Sequence, residues 1–369
     1  MSRFEFSLAT PADEPSLREL SGAVSMQGSI RIALDRAPGY FASLRPEGRR
    51  TEVLVCREIS SGRVVAVGHR SVRPMWVNGA VAPVGYLGGL RISPEVQRGT
   101  LLARGHRFLR ERHSDRQTEF YLCTIMEDNR LALAQLQSGR CGLPRYHDLG
   151  RFCSMAVGMR LESRRVPGRL RLRPATPADL SALIAFLRRE GPKRQFFPAY
   201  EPEDFCRNDG LLPGLALEDI ILAWQGSELI GAAAAWDQRS FRRWRIAGYA
   251  PWLRALRLPF NVVAICRGLP RLPAPGSRPD YFVLSLVCIR DYDARVFHAV
   301  LDEIIVRRRD RFDFFTAGLH ERDPLMQEMQ ARRHIPMPSR LLAVAWDDGE
   351  ESVRQLRAGL VPHLEAGAL

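Results

Sequence analysis

The sequence is nearly without lysine, has no long apolar run, and offers no paired metal-ligand spacing. Each absence removes a class of function. Of the 54 basic residues, Lys193 is the only lysine, so the net charge of +13 rests on arginine. An excess carried throughout the chain by one residue type reflects composition rather than a binding patch, and no nucleic-acid partner is expected from it. No stretch of about 18 consecutive apolar residues occurs, so no bilayer-spanning helix is expected. The opening residues, Met1-Ser-Arg-Phe-Glu-Phe6, lack the apolar core of a secretory leader, and a cytoplasmic protein is expected. The seven cysteines include no C-x-x-C and the eight histidines no H-x-x-x-H, so neither a disulfide framework nor a metal is expected.

What is present points to a doubled α/β protein. A chain of 369 residues, 46% hydrophobic and 26% charged, suits two globular domains. The pentapeptide Ala-Thr-Pro-Ala-Asp occurs twice, ending at Asp13 and at Asp179. In each copy a short strand leads through Thr-Pro to an aspartate suited to cap a helix, over residues 15–23 and 180–189. A hairpin follows in each, at 51–57 with 63–69 and at 219–224 with 228–235. Core strands at 120–125 and 312–317 extend the match. The spacing therefore predicts a tandem duplication, with one domain over residues 1–160 and a second over 161–369, joined by the arginine-rich stretch 160–169. Each copy is expected to form a mixed sheet with helices on both faces.

Residues 84–110 carry the expected chemistry. A strand runs to Ile92, Pro94 stops it, Gly99 permits a tight turn, and Leu101, Leu102, Phe108 and Leu109 recur at helical spacing. A helix beginning just past a glycine presents unpaired amide hydrogens and the positive end of its dipole, which suits phosphate. Arg91 and Arg98 add charge there. The feature lies at the carboxyl end of a strand, where open sheets bind ligands.

With this order and loop, each copy resembles the GNAT superfamily of N-acetyltransferases. The family loop reads R/Q-x-x-G-x-G/A; Arg98-Gly-Thr-Leu-Leu-Ala103 matches its first and last positions, with Leu101 where the first glycine stands. The resemblance implies a mixed, mostly antiparallel sheet in each copy and acetyl-CoA as co-substrate without a metal. It implies that the diphosphate is held by Arg98, Gly99, Thr100, Leu101, Leu102 and Ala103. The pantetheine arm would pair along Leu90, Arg91 and Ile92, in a split walled by residues 87–92 and 121–125, with Asn129 beyond. The family's acidic tyrosine is replaced by Leu136, for which Tyr86 and Tyr146 are candidate substitutes. Glu127 and Asp128 are candidate bases for the amine; the competing reading makes Asp128 a helix cap and Glu127 a surface charge. The equivalent strand of the second copy, 281–289, runs into Arg290-Asp-Tyr-Asp293, which has no glycine and two acids, so no cofactor is expected there.

The expected function is transfer of an acyl group, acetyl by family, from acyl-CoA to the amine of a small molecule or protein. The alternative is a non-catalytic protein that kept the fold. One segment, 239–258, mixes arginine with tryptophan. It suits either an anionic membrane or nucleic-acid contact, or a hairpin and amphipathic helix packed on the second sheet.

Overall fold

The computed structural model describes residues 3–23, 28–96, 100–139, 142–161, 170–207, 209–267 and 269–369. The first half comprises β1 (Phe4–Leu8), α1 (Glu14–Ala23), β2 (Ile30–Asp35), β3 (Arg50–Glu58), β4 (Val64–Val77), β5 (Ala80–Ile92), α2 (Leu101–His113), β6 (Tyr121–Met126), α3 (Arg130–Leu136) and β7 (Arg145–Gly158). The second comprises β8 (Leu170–Pro174), α4 (Leu180–Glu190), β9 (Arg194–Gln195), α5 (Glu203–Cys206), β10 (Ile220–Gln225), β11 (Glu228–Trp236), β12 (Arg243–Tyr249), α6 (Pro251–Arg267), β13 (Tyr281–Ile289), α7 (Ala294–Arg308), β14 (Phe314–His320), α8 (Met326–Ala331), β15 (His334–Ala345), α9 (Glu350–Arg354) and β16 (Val361–Pro362).

The repeated pentapeptide folds the same way twice. The backbone N–H and hydroxyl of Thr10 both donate to Asp13 Oδ2, at 2.7 and 3.1 Å. Those of Thr176 donate to Asp179 Oδ2, at 2.8 and 2.6 Å. Each aspartate is completed by an arginine, Arg57 at 2.6 Å and Arg173 at 2.5 Å. The link is local, so identical sequence suffices to produce it.

Twelve strands join in one sheet, in the order β1-β3-β4-β5-β6-β15-β7-β14-β13-β11-β10-β8. The order reads as a palindrome, with β1 answering β8, β3 answering β10, β5 answering β13 and β6 answering β14. At its centre the halves exchange their last strands: β15 pairs with β6, β7 pairs with β14, and the two pair with each other over Arg145–Val157. Only β5–β6 and β13–β14 run parallel within this sheet. The exchange buries Phe152, Leu341 and Ala343 in one cluster with Phe120 and Leu122, so the core is continuous across the joint.

Two segments depart from expectation. The first hairpin does not stop near His69: β4 continues to Val77 and turns through Asn78-Gly79, both at positive φ, into β5. The arginine-tryptophan segment does not form a hairpin on the second sheet. Instead β12 pairs antiparallel with β2 of the first half, and α6 follows with Ala264 as its buried residue. No helix among the described residues is long and apolar enough to cross a membrane.

Candidate active site

The parallel strands β5 and β6 are paired only at Gly85 with Tyr121 and at Tyr86 with Leu122. Beyond that point they diverge. A Cβ at Gly85 would lie 2.2 Å from the Tyr121 ring, so glycine is required where the strands are closest. Past the last pair a bulge turns β5: Val67 faces Arg91 and His69 faces Gly88, leaving Gly89 and Leu90 opposite Gly68. Gly89 takes φ +63°, a conformation open to glycine at little cost. The divergence opens a cavity of about 1680 Å³, roofed by β2 and β12.

The cavity gathers most of the residues expected from sequence. Leu90, Arg91 and Ile92 of β5, Leu101, Leu102 and Ala103 in the first turn of α2, Asn129, Glu127, Asp128, Tyr86 and Tyr146 all line it. Thr100 sits at the N-cap of α2 without a side-chain cap bond and is not in the lining. Arg98 and Gly99 lie outside the described residues.

The candidate proton carriers have different surroundings. Glu127 is held by Arg151 at 2.7 Å and faces Arg340 at 3.6 Å. Asp128 does not cap α3. Its Oδ2 accepts the Ser29 N–H at 3.0 Å, and the cap is Asn129, whose side chain accepts the Ala132 N–H at 3.3 Å. The Tyr146 hydroxyl lies 3.0 Å from His106 Nε2, while His106 Nδ1 lies 2.9 Å from the Leu102 carbonyl. A carbonyl only accepts, so Nδ1 carries the ring proton and the Tyr146 hydroxyl donates to Nε2. Burial lowers the His106 pKa and keeps the ring neutral. The Tyr86 hydroxyl meets Thr124 Oγ1 at 2.8 Å, between the two diverging strands, and either group can donate. Burial raises the Tyr86 phenol well above its ordinary range, so it holds its proton at neutral pH.

A buried charge network beneath the bulge has no counterpart in the sequence reading. Glu47, in the turn Ala42–Glu47, meets His69 Nε2 and accepts from Arg242 Nη2 at 3.2 Å. Arg242 belongs to the second half, 195 positions away, and its Nη2 also donates to the Ser43 carbonyl at 2.8 Å. Burial alone would raise the Glu47 carboxyl, but His69, Arg242 and Arg36 outweigh it and hold the pKa at about 2. His69 in turn supports the bulge, since a Cβ at Gly89 would stand 2.5 Å from its ring. The one local signal was the Gly88-Gly89 pair inside a strand, which marks a bulge or a close approach.

Among the described residues the second half has no equivalent opening. Its parallel pair joins at Tyr281, Phe282 and Val283. Farther along, Glu365 Oε2 accepts the Leu286 N–H at 2.9 Å, and Arg194 donates to the carbonyls of Val287 and Ile289 at 2.8 and 3.2 Å. Gly367 lies against Trp236 and Ser285, so the chain itself fills the place.

No protein-family model matches the sequence, and no curated protein matches it. Solved structures do match. The N-myristoyltransferase of Saccharomyces cerevisiae, solved with bound myristoyl-CoA, has a TM-score of 0.60 at 10% identity, over 99% of this chain and 85% of that one. A GCN5-related N-acetyltransferase from Sphaerobacter thermophilus has a TM-score of 0.55 at 12% identity, over 93% and 96%. A GCN5-related glucosamine N-acetyltransferase region of a fungal multi-domain GH3 β-N-acetylglucosaminidase has a TM-score of 0.59 at 11% identity, over 93% of this chain. This chain spans 38% of that fungal protein. Likeness at such identity is likeness of fold alone: the chain folds as these GCN5-related N-acetyltransferases and the N-myristoyltransferase do, in a doubled arrangement.

Proposed function

We propose that the protein is an acyl-CoA-dependent N-acyltransferase whose donor enters the opening between β5 and β6. That opening carries the reading: a parallel pair that separates after two residue pairs leaves room for an extended arm to run between the strands. The diphosphate lies toward the start of α2, and acetyl-CoA is the donor to test first. The acceptor amine attacks the thioester carbonyl, forming the C–N bond as the C–S bond breaks. Amide hydrogens of the Gly88-Gly89 bulge stabilise the oxygen that becomes negative. Asp128 takes the proton from nitrogen, since Glu127 is already committed to Arg151 and Arg340. The leaving thiolate takes the Tyr86 proton; the Tyr146 proton is engaged by His106.

Isothermal titration of the full chain with acetyl-CoA and with CoA tests the donor site, and thiol release on adding amines tests the transfer. Binding of both nucleotides is expected. Folded protein that binds neither overturns the reading, and binding without release to a broad amine panel supports the non-catalytic alternative.

A further inference from the structure

Two guanidinium groups stand on one wall of the cavity. Arg36 is 6% exposed; its Nη1 donates to Ser43 Oγ at 2.7 Å and its guanidinium lies 4.9 Å from the Tyr40 ring centre. Arg91 Nη1 donates to the Leu90 carbonyl at 2.8 Å. Among the described residues neither forms an ion pair, and Nε of each is buried without a partner. Both line the cavity. Tyr40 relates the two cations: the Arg36 guanidinium packs on its ring, and its hydroxyl stands 3.5 Å from where a Cβ would lie at Gly89, two residues before Arg91. The neighbouring carboxylates are engaged elsewhere, Glu47 by His69 and Arg242, and Glu14 by the Tyr40 N–H.

The pair lies on the face of the sheet that carries α1. Val67, opposite Arg91, packs with Leu17 and Tyr40, whereas Ile92, one residue on, packs with Leu101 of α2. A donor anchored at α2 and threaded through the opening thus presents its thioester to the side where Arg36 and Arg91 wait. We propose that Arg36 and Arg91 bind a carboxylate carried by the acceptor, so that the acceptor is an amino acid or another amine bearing a carboxylate. This rests on the acyltransferase reading. It is tested by titrating CoA-saturated protein with N-acetyl amino acids and with the matching N-acetyl amines that lack the carboxylate. At least one acid is expected to bind about tenfold or more tightly than its partner, and Arg36→Met to weaken it by about ten- to hundredfold while CoA affinity is unchanged. Acids that bind no better than the amines, or an affinity unmoved in the Arg36→Met variant, overturn the proposal while CoA binding upholds the donor site. Loss of CoA binding itself would overturn the acyltransferase reading first.

A separate observation concerns α6. Half of the large apolar side chains exposed by the described residues sit on this one helix: Trp252, Leu256, Leu258, Val262, Val263 and Ile265. At 100° per residue they occupy one side, flanked by the exposed Arg254 and Arg267, while Leu253 and Phe260 on the other side line the cavity, which Trp252 also borders. Arginines beside an outward apolar stripe complement acidic lipid headgroups, and they would oppose each other across a contact between two copies. We infer that α6 lies in the interface of an anionic membrane, with the cavity beneath it.

Co-sedimentation of the full chain with phosphatidylcholine vesicles, with and without phosphatidylglycerol, tests this. Binding to the anionic vesicles is expected, with about tenfold or greater loss in the combined Arg254→Gln and Arg267→Gln variant, and loss also in a Leu256→Ser, Val262→Ser, Ile265→Ser variant. No binding to anionic vesicles, or binding unaltered by the serine substitutions, overturns it. A lipid-free dimer abolished by the same substitutions overturns it too, by showing that a second copy covers the stripe.

Discussion

The Glu47→Gln substitution tests the network that joins the halves beneath the bulge. The amide keeps the shape of the side chain and removes its charge, leaving Arg242 buried without a counter-ion. A carboxyl held at about 2 instead of its ordinary 4.5 contributes about 3 kcal/mol to folding at neutral pH. Breaking a buried pair by removing one partner costs roughly 3–5 kcal/mol, which agrees. Because the folded pKa is the lower one, the contribution is complete above about pH 4.5 and drains away as the pH falls toward about 2. Urea unfolding followed by tryptophan fluorescence should therefore show the variant less stable by about 3 kcal/mol at ~pH 7, with the gap closing as both proteins are measured at lower pH. A gap below about 1 kcal/mol at ~pH 7, or one that does not narrow below ~pH 4, would refute the assignment of Glu47 as the ionised centre of this network.

Two further substitutions separate local from tertiary effects. Gly62 and Gly89 have φ of +68° and +63°, but a Cβ at Gly62 meets nothing within 4 Å whereas one at Gly89 meets His69. Gly62→Ala should cost about 1 kcal/mol and Gly89→Ala about 1–3 kcal/mol more, with weakened acetyl-CoA binding in the second only; equal costs in urea unfolding would remove His69 as the support of the bulge. Thr10→Ala and Thr176→Ala should each cost about 1 kcal/mol, because each deletes one hydroxyl bond to an equivalent aspartate, and a strongly unequal pair of unfolding midpoints would break the equivalence of the two turns.

The features legible in the sequence were those made by neighbours in the chain. The Thr-Pro-Ala-Asp turn closes over three residues, the hairpins are specified by alternation and a turn, and α1, α2 and α4 begin within a residue of their expected starts. Both β5 and β6 are strand-like on their own, but that they part to form an opening was implied only by the family resemblance. The bridging position of Asp128 was not legible, because its partner Ser29 is 99 positions away. Likewise α6 has an apolar pattern that suits either a core or a surface, and periodicity alone does not say which.

By itself, then, the sequence determined the doubling and the local elements, since hydrogen bonds over a few residues and the side-chain period decide these. Tertiary structure alone decided the exchange of β7 and β15, the filling of the second cleft by residues 365–367, and the meeting of Glu47 with His69 and Arg242. Those contacts join groups 22 and 195 positions apart, and only the packed core brings such distant charges out of water to where they must pair.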